Sequence, residues 1–202
     1  MNSALYQGYF TLVAEGRRKD AGVMLDAFLR SFNTSEEREQ WTHAFLKTHT
    51  YGATVRHEIY AEIIFPVLLA GSKRNDAWSL YWLAGTSQNL YRARGLHEQI
   101  RFKGEIGLLK DAYTIDRTSI EVREALLKSL LDYFRHAGHE WPAGILWGMN
   151  GATLDQCDEI MSEVNFAREL DRECAHVSWL DEFEGKLSQY RERLISRSGN
   201  LF

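Results

Sequence analysis

Only two prolines, Pro66 and Pro142, interrupt a chain of 202 residues. A proline inside a helix removes a backbone donor, and its ring collides with the carbonyl one turn back. Their scarcity leaves long helices allowed almost everywhere. Leu outnumbers Val plus Ile by 24 to 17, a helical bias. No stretch sustains the two-residue alternation of a half-buried strand. Val55, Ile59, Ile63 and Val67 recur at every fourth residue, and Ile120, Leu127, Leu130, Leu131 and Phe134 share one helical face. Leu180, Phe183, Leu187, Tyr190 and Leu194 step by three and four. That is the seam of a helix packed on another helix. Leu154, Cys157, Met161 and Val164 offer the matching stripe.

Start and stop signals agree with these faces. Thr34 with Glu37, Thr118 with Glu121 and Thr153 with Gln156 fit the capping box, in which a hydroxyl takes an early backbone N–H and the third side chain reaches back; Ser178 with Asp181 is a weaker variant. Gly16, Gly71, Gly95, Gly138 and Gly199 are stop signals. Together these features predict helices near 4–15, 20–32, 35–49, 53–70, 76–93, 97–113, 119–137, 153–170 and 178–196. The expected fold is all-α, a helical bundle or a short array of α-α hairpins with eight or nine helices. No linker or low-complexity stretch divides it, so 1–202 is expected to be a single all-helical domain.

One segment, about 78–118, resembles a tetratricopeptide hairpin. Trp78 and Tyr81 open one helix, Leu109-Lys110-Asp111-Ala112-Tyr113-Thr114-Ile115-Asp116-Arg117 is similar to the end of that repeat, and the next helix starts at Thr118. Arg117 stands where the family usually has Pro, and Trp78 lies further from Ala112 than the family's spacing allows. The resemblance implies an α-α hairpin array and names no ligand.

Charge and missing signals narrow the function classes. The net charge is -4, against the basic excess usual in nucleic-acid binders. The longest apolar run, Ile63 to Ala70, is too short to span a bilayer, and the N-terminus lacks the pattern of a signal peptide. A cytoplasmic location away from membranes is therefore expected. Cys157 and Cys174 are expected to be free and largely buried. The charge is uneven: residues 151–184 hold ten acids, among them Asp155, Asp158, Glu159 and Glu163, against Arg168 and Arg172 alone.

No catalytic motif stands out. His136-Ala137-Gly138-His139-Glu140 has histidines and a carboxylate close together, yet it matches neither the zincin order nor its inverse, and Gly138 ends the helix between the imidazoles. Cys174 and His176 are two apart, which on a helix points them away from each other. Phosphate-binding glycine loops and a nucleophile elbow are absent from the sequence. The most unusual stretch is Trp141 to Gly151, a glycine-rich connection that carries Trp141, Ile145, Leu146, Trp147 and Met149. An apolar loop either folds back onto the core or meets a partner.

The leading expectation is a non-catalytic protein-binding module without a cofactor, one version being an immunity or antitoxin-type inhibitor of a basic partner. Its contacts would come from Asp155, Asp158, Glu159, Glu163, Trp141 and Trp147. The alternative is a helical-bundle enzyme or metal-binding protein that gathers residues such as His57, Glu62, His136, His139 and Glu140. A homo-oligomer paired through the 178–196 seam is a third possibility.

Overall fold

Two of the nine predicted helices break, and the count among the described residues rises to eleven. The computed structural model describes residues 3–199. Within them are α1 (Ser3–Ala14), α2 (Arg18–Leu29), α3 (Ser35–Lys47), α4 (His57–Ile59), a π-helical turn (Tyr60–Ile64), α5 (Phe65–Lys73), α6 (Ala77–Gly85), α7 (Ser87–Tyr91), α8 (Arg94–Gln99), α9 (Glu105–Ile115), α10 (Ile120–Ala137), α11 (Leu154–Leu170) and α12 (Val177–Gly199). The first break falls at Thr86, whose hydroxyl donates to the Trp82 carbonyl at 2.6 Å. The second falls between Ile100 and Gly104, where Arg101 and Phe102 both adopt left-handed backbone, φ 57° and 55°.

α4, the π-helical turn and α5 follow one another without a gap and form one helix. Pro66 explains the turn inside it. In a regular α-helix its ring would strike the Glu62 carbonyl. The Phe65 N–H instead reaches the Tyr60 carbonyl, five residues back, and the wider turn makes room. The inserted residue also rotates the apolar stripe. Val55, Ile59 and Ile63 are buried as expected, but from the end of the turn onward the buried apolar side chains are Ile64, Phe65 and Leu68, and Val67 is only half-buried.

The chain divides into two compact units, Met1–Arg117 and Thr118–Phe202. In the first, α1 packs on α2, α6 packs on α5 and α9, and α3 lies against the π-helical turn and α5. Its core is aromatic: Phe28 and Phe32 pack on each other and on Trp41, and Tyr6 covers Phe28 and Trp41. α5 and α6 approach so closely at Gly71 that a Cβ there would lie 2.0 Å from the Ser79 Oγ. Asp76 caps α6 by accepting the Ser79 N–H. Buried Asn89 pins the extended residues before α4, accepting the Val55 N–H at 3.3 Å and donating to the Val55 carbonyl at 2.8 Å.

In the second unit α11 packs on α10 and α12. Leu180, Phe183, Leu187 and Tyr190 are buried against a face that holds Cys157, Ile160, Val164, Ala167 and Leu170. The 178–196 seam is thus used inside this unit from Leu180 to Tyr190. The α10 stripe is Val122, Leu126, Leu130, Leu131 and Phe134, while Ile120 is exposed and Leu127 half-buried. Thr34 and Thr153 cap as expected, the latter with the full capping box. The other two starts differ. Ser119, not Thr118, accepts the Val122 N–H, and in the turn before α12 Asp171 accepts the Ala175 and His176 N–H groups at 3.1 and 2.7 Å.

Between α10 and α11 an antiparallel hairpin departs from the all-helical expectation. β1 (Leu146–Trp147) pairs with β2 (Asn150–Gly151), Trp147 opposite Asn150. Gly148 takes φ 63° at the first turn position, which glycine adopts without strain.

Two substitutions probe this packing. Gly71→Ala places a methyl group into Ser79 and is expected to cost about 1–3 kcal/mol. Asp171→Ala strips two N–H groups of their acceptor, with an expected loss of about 1–3 kcal/mol. Each is read from the urea midpoint at an unchanged slope.

Candidate functional site

The Gly138–Ala152 segment both folds back and projects. Its root is fixed: Ile145 is fully buried, and the Ala152 N–H donates to the Ile145 carbonyl at 2.8 Å. Two side chains from α12 clamp its ends. The Tyr190 hydroxyl donates to the Ala152 carbonyl at 3.2 Å, and Arg193 donates to the Pro142 carbonyl at 2.8 Å. The Arg193 guanidinium also lies over the Trp141 ring, 4.7 Å from its centroid, a cation–π contact that partly covers that tryptophan. The tip behaves differently. Met149 is 90 % exposed, on a turn whose shape is set by Gly148 and the ladder behind it.

Trp147 is half-buried and meets the Tyr133 ring edge-on, 6.3 Å between centroids. Tyr133 comes from α10, beside the fully buried Phe134, whose ring centroid lies 5.6 Å from its own. Its hydroxyl is shielded from solvent and makes no hydrogen bond among the described residues. Burial first, then the nearby Glu163 and Glu159 charges, push its pKa up to about 12. Tyr133 therefore keeps its proton near neutral pH and has a donor to offer. No periodicity or motif marks it in the sequence.

Asp155, Glu159 and Glu163 stand four residues apart on α11, one stripe on one face. Asp155 and Glu159 are exposed, and Glu163 is half-buried beside Tyr133. Asp158 belongs to a different environment. Arg191 of α12 donates to both of its carboxylate oxygens, at 2.8 and 3.4 Å. Further along, Arg168 pairs with Asp181 and Glu184, and Lys186 with Glu182. Much of the acidic segment is thus neutralised from within. Of the acids outside these pairs, Asp155, Glu159 and Glu163 lie on the side of α11 that starts at the hairpin, and Glu169, Asp171 and Glu173 lie at its other end.

The histidine cluster forms no donor set. The His136 Nε2 lies 3.4 Å from the Gly148 carbonyl, and His139 spends its Nδ1 on the His136 carbonyl at 2.7 Å and its Nε2 on Glu140 at 2.9 Å. The two imidazoles stack with centroids 5.3 Å apart. His57 and Glu62 belong to the first unit. Among the described residues no three His, Cys, Asp or Glu side chains are grouped to hold a metal ion. No described helix is long and apolar enough to cross a membrane.

Both cysteines are free, as expected, but only Cys157 is buried. Cys174 is exposed in the turn before α12, at φ 55°, because the chain reverses there and leaves the helical face. Burial, and then the neighbouring Asp158, raise the Cys157 thiol. Titration with a chromogenic disulfide should modify one thiol per folded chain rapidly, and two after denaturation. Substituting Cys174 by Ser should remove the fast phase.

No protein-family model, no curated protein and no solved structure matches the chain.

Proposed function

We propose that this chain is a non-catalytic protein-interaction module whose contact surface lies on its second unit. The surface comprises the Met149 tip, the Trp147–Tyr133 pair and the Asp155, Glu159 and Glu163 stripe. One observation carries this reading: a shielded tyrosine hydroxyl without a hydrogen bond sits between an aromatic contact and a line of carboxylates, beneath a projecting apolar tip. Tyr and Trp in such positions supply much of the energy of protein interfaces, where large rings lose little entropy. The carboxylates would steer a basic partner toward the patch.

The partner class is a basic protein, and inhibition of a toxin by an immunity or antitoxin-type protein is the narrower form of the same idea. The helices, as a bundle or a short array of α-α hairpins, serve as a rigid frame. Asp158 and Trp141 support the frame more than the contact, since Arg191 and Arg193 already engage them.

Affinity capture from the native host, followed by titration with the captured protein, tests the proposal. Asp155→Lys with Glu159→Lys should weaken binding roughly tenfold or more, chiefly through slower association at low salt. Tyr133→Ala should weaken it by about 1–3 kcal/mol through faster dissociation. A partner whose affinity ignores both variants overturns the assignment of this surface. Stoichiometric metal or turnover in the purified chain overturns the non-catalytic reading itself.

A further inference from the structure

The first unit contains a pocket of about 270 Å³. The floor is apolar: Leu80 and Leu83 from α6, Ile100 and Leu108 are all buried. The rim is cationic. Lys73 ends α5, and Arg101 and Lys103 follow α8. Lys103 pairs with Asp111 across one wall. Lys73 and Arg101 are exposed and make no ion pair among the described residues. Gln99 and Ser72 are the other polar side chains on the wall; Gln99 donates to the Gly95 carbonyl and Ser72 to the Leu69 carbonyl. The groups facing the space therefore sum to two positive charges. The C-terminal carbonyls of α5 offset about half of one charge.

The rim is also held in place. Arg101 and Phe102 both occupy the left-handed region, which costs non-glycine residues about 1–3 kcal/mol each. Three bonds keep them there. The Arg101 N–H donates to the Glu98 carbonyl at 2.8 Å, the Phe102 N–H donates to the His97 carbonyl at 3.0 Å, and the His97 Nε2 lies 3.1 Å from the Lys103 carbonyl. Basic side chains often answer the dipole at a helix C-terminus. That role requires neither a pinned left-handed pair nor an apolar floor beneath the cations.

We propose that this pocket binds a small amphipathic anion, a single carboxylate head on a short apolar body. Lys73 and Arg101 would hold the head, and the Leu83–Leu108 floor would take the body. The volume lies at the lower end of small-molecule sites, which favours a medium-chain acid over a nucleotide. A single carboxylate complements two cations that have no ion pair among the described residues, and charge-assisted hydrogen bonds of this kind are stronger than neutral ones.

Isothermal titration of the full chain with octanoate, 1-octanol and inorganic phosphate tests the inference. Octanoate should bind once per chain and saturate. Octanol should bind at least roughly tenfold more weakly, as should octanoate to Arg101→Gln or Lys73→Gln, the effect expected of one charge-assisted bond. Lys47→Gln, outside the pocket, should leave octanoate binding unchanged. The neutral replacements are mild, and an unchanged unfolding midpoint shows that a loss reflects the site. No saturable octanoate binding overturns the proposal. So does octanol binding equally well, or phosphate binding as tightly as octanoate, which would mark a generic cationic surface. All these variants lie in the first unit, so their outcome is independent of the protein-binding surface assigned to the second.

Discussion

Three helices of the second unit meet at one turn, and the position of the hairpin follows from it. Asp171, 6 % exposed, accepts two N–H groups ahead of α12. Beside it the Arg123 guanidinium of α10 donates to the Leu170 carbonyl at 3.1 Å, at the last turn of α11. Burying either charge in apolar surroundings without partners would cost several kcal/mol, on the order of a domain's whole stability. The chain is thereby committed to reverse at Arg172–His176 and lay the α12 seam on α11. Near the far end of that seam Tyr190 and Arg193 grip Ala152 and Pro142. Hairpin, Tyr133 and acidic stripe thus share one frame.

The same packing redraws the charge map. Along the sequence, residues 151–184 carry a net charge of -8. In space Arg191 reaches back to Asp158, and Arg168 reaches forward to Asp181 and Glu184. Surface ion pairs of this kind add little to stability. Their effect is on the field. They quench the α11–α12 side and leave Asp155 and Glu159 as the exposed acids nearest the apolar tip.

The first unit shows where helix periodicity is a sufficient guide and where it fails. α1, α2 and α3 sit close to their expected positions, because Tyr6, Phe28 and Trp41 meet the spacing that a regular helix imposes. The stripe from Val55 to Val67 goes astray midway. Its four-residue rhythm is legible, but the rotation at the π-helical turn follows from a collision between Pro66 and a carbonyl in the preceding turn. The break at Arg101–Phe102 was equally silent, since neither residue favours left-handed backbone, although the bonds that hold both there come from within residues 97–103.

Local chemistry in the chain determined most of the helices, the Thr34 and Thr153 caps and the α11–α12 seam. These depend on neighbours within about four residues, the range over which side chains on a helix meet. The tertiary structure alone decided which acids pair with arginine or lysine, that Tyr133 lies near both Trp147 and Glu163, that the histidines hold backbone carbonyls and a carboxylate without converging, and that Lys73, Arg101 and Lys103 line one pocket with Leu83. Those outcomes come from groups far apart in the chain brought within a few ångströms. Electrostatics and desolvation act on distance in space, which a linear pattern does not carry.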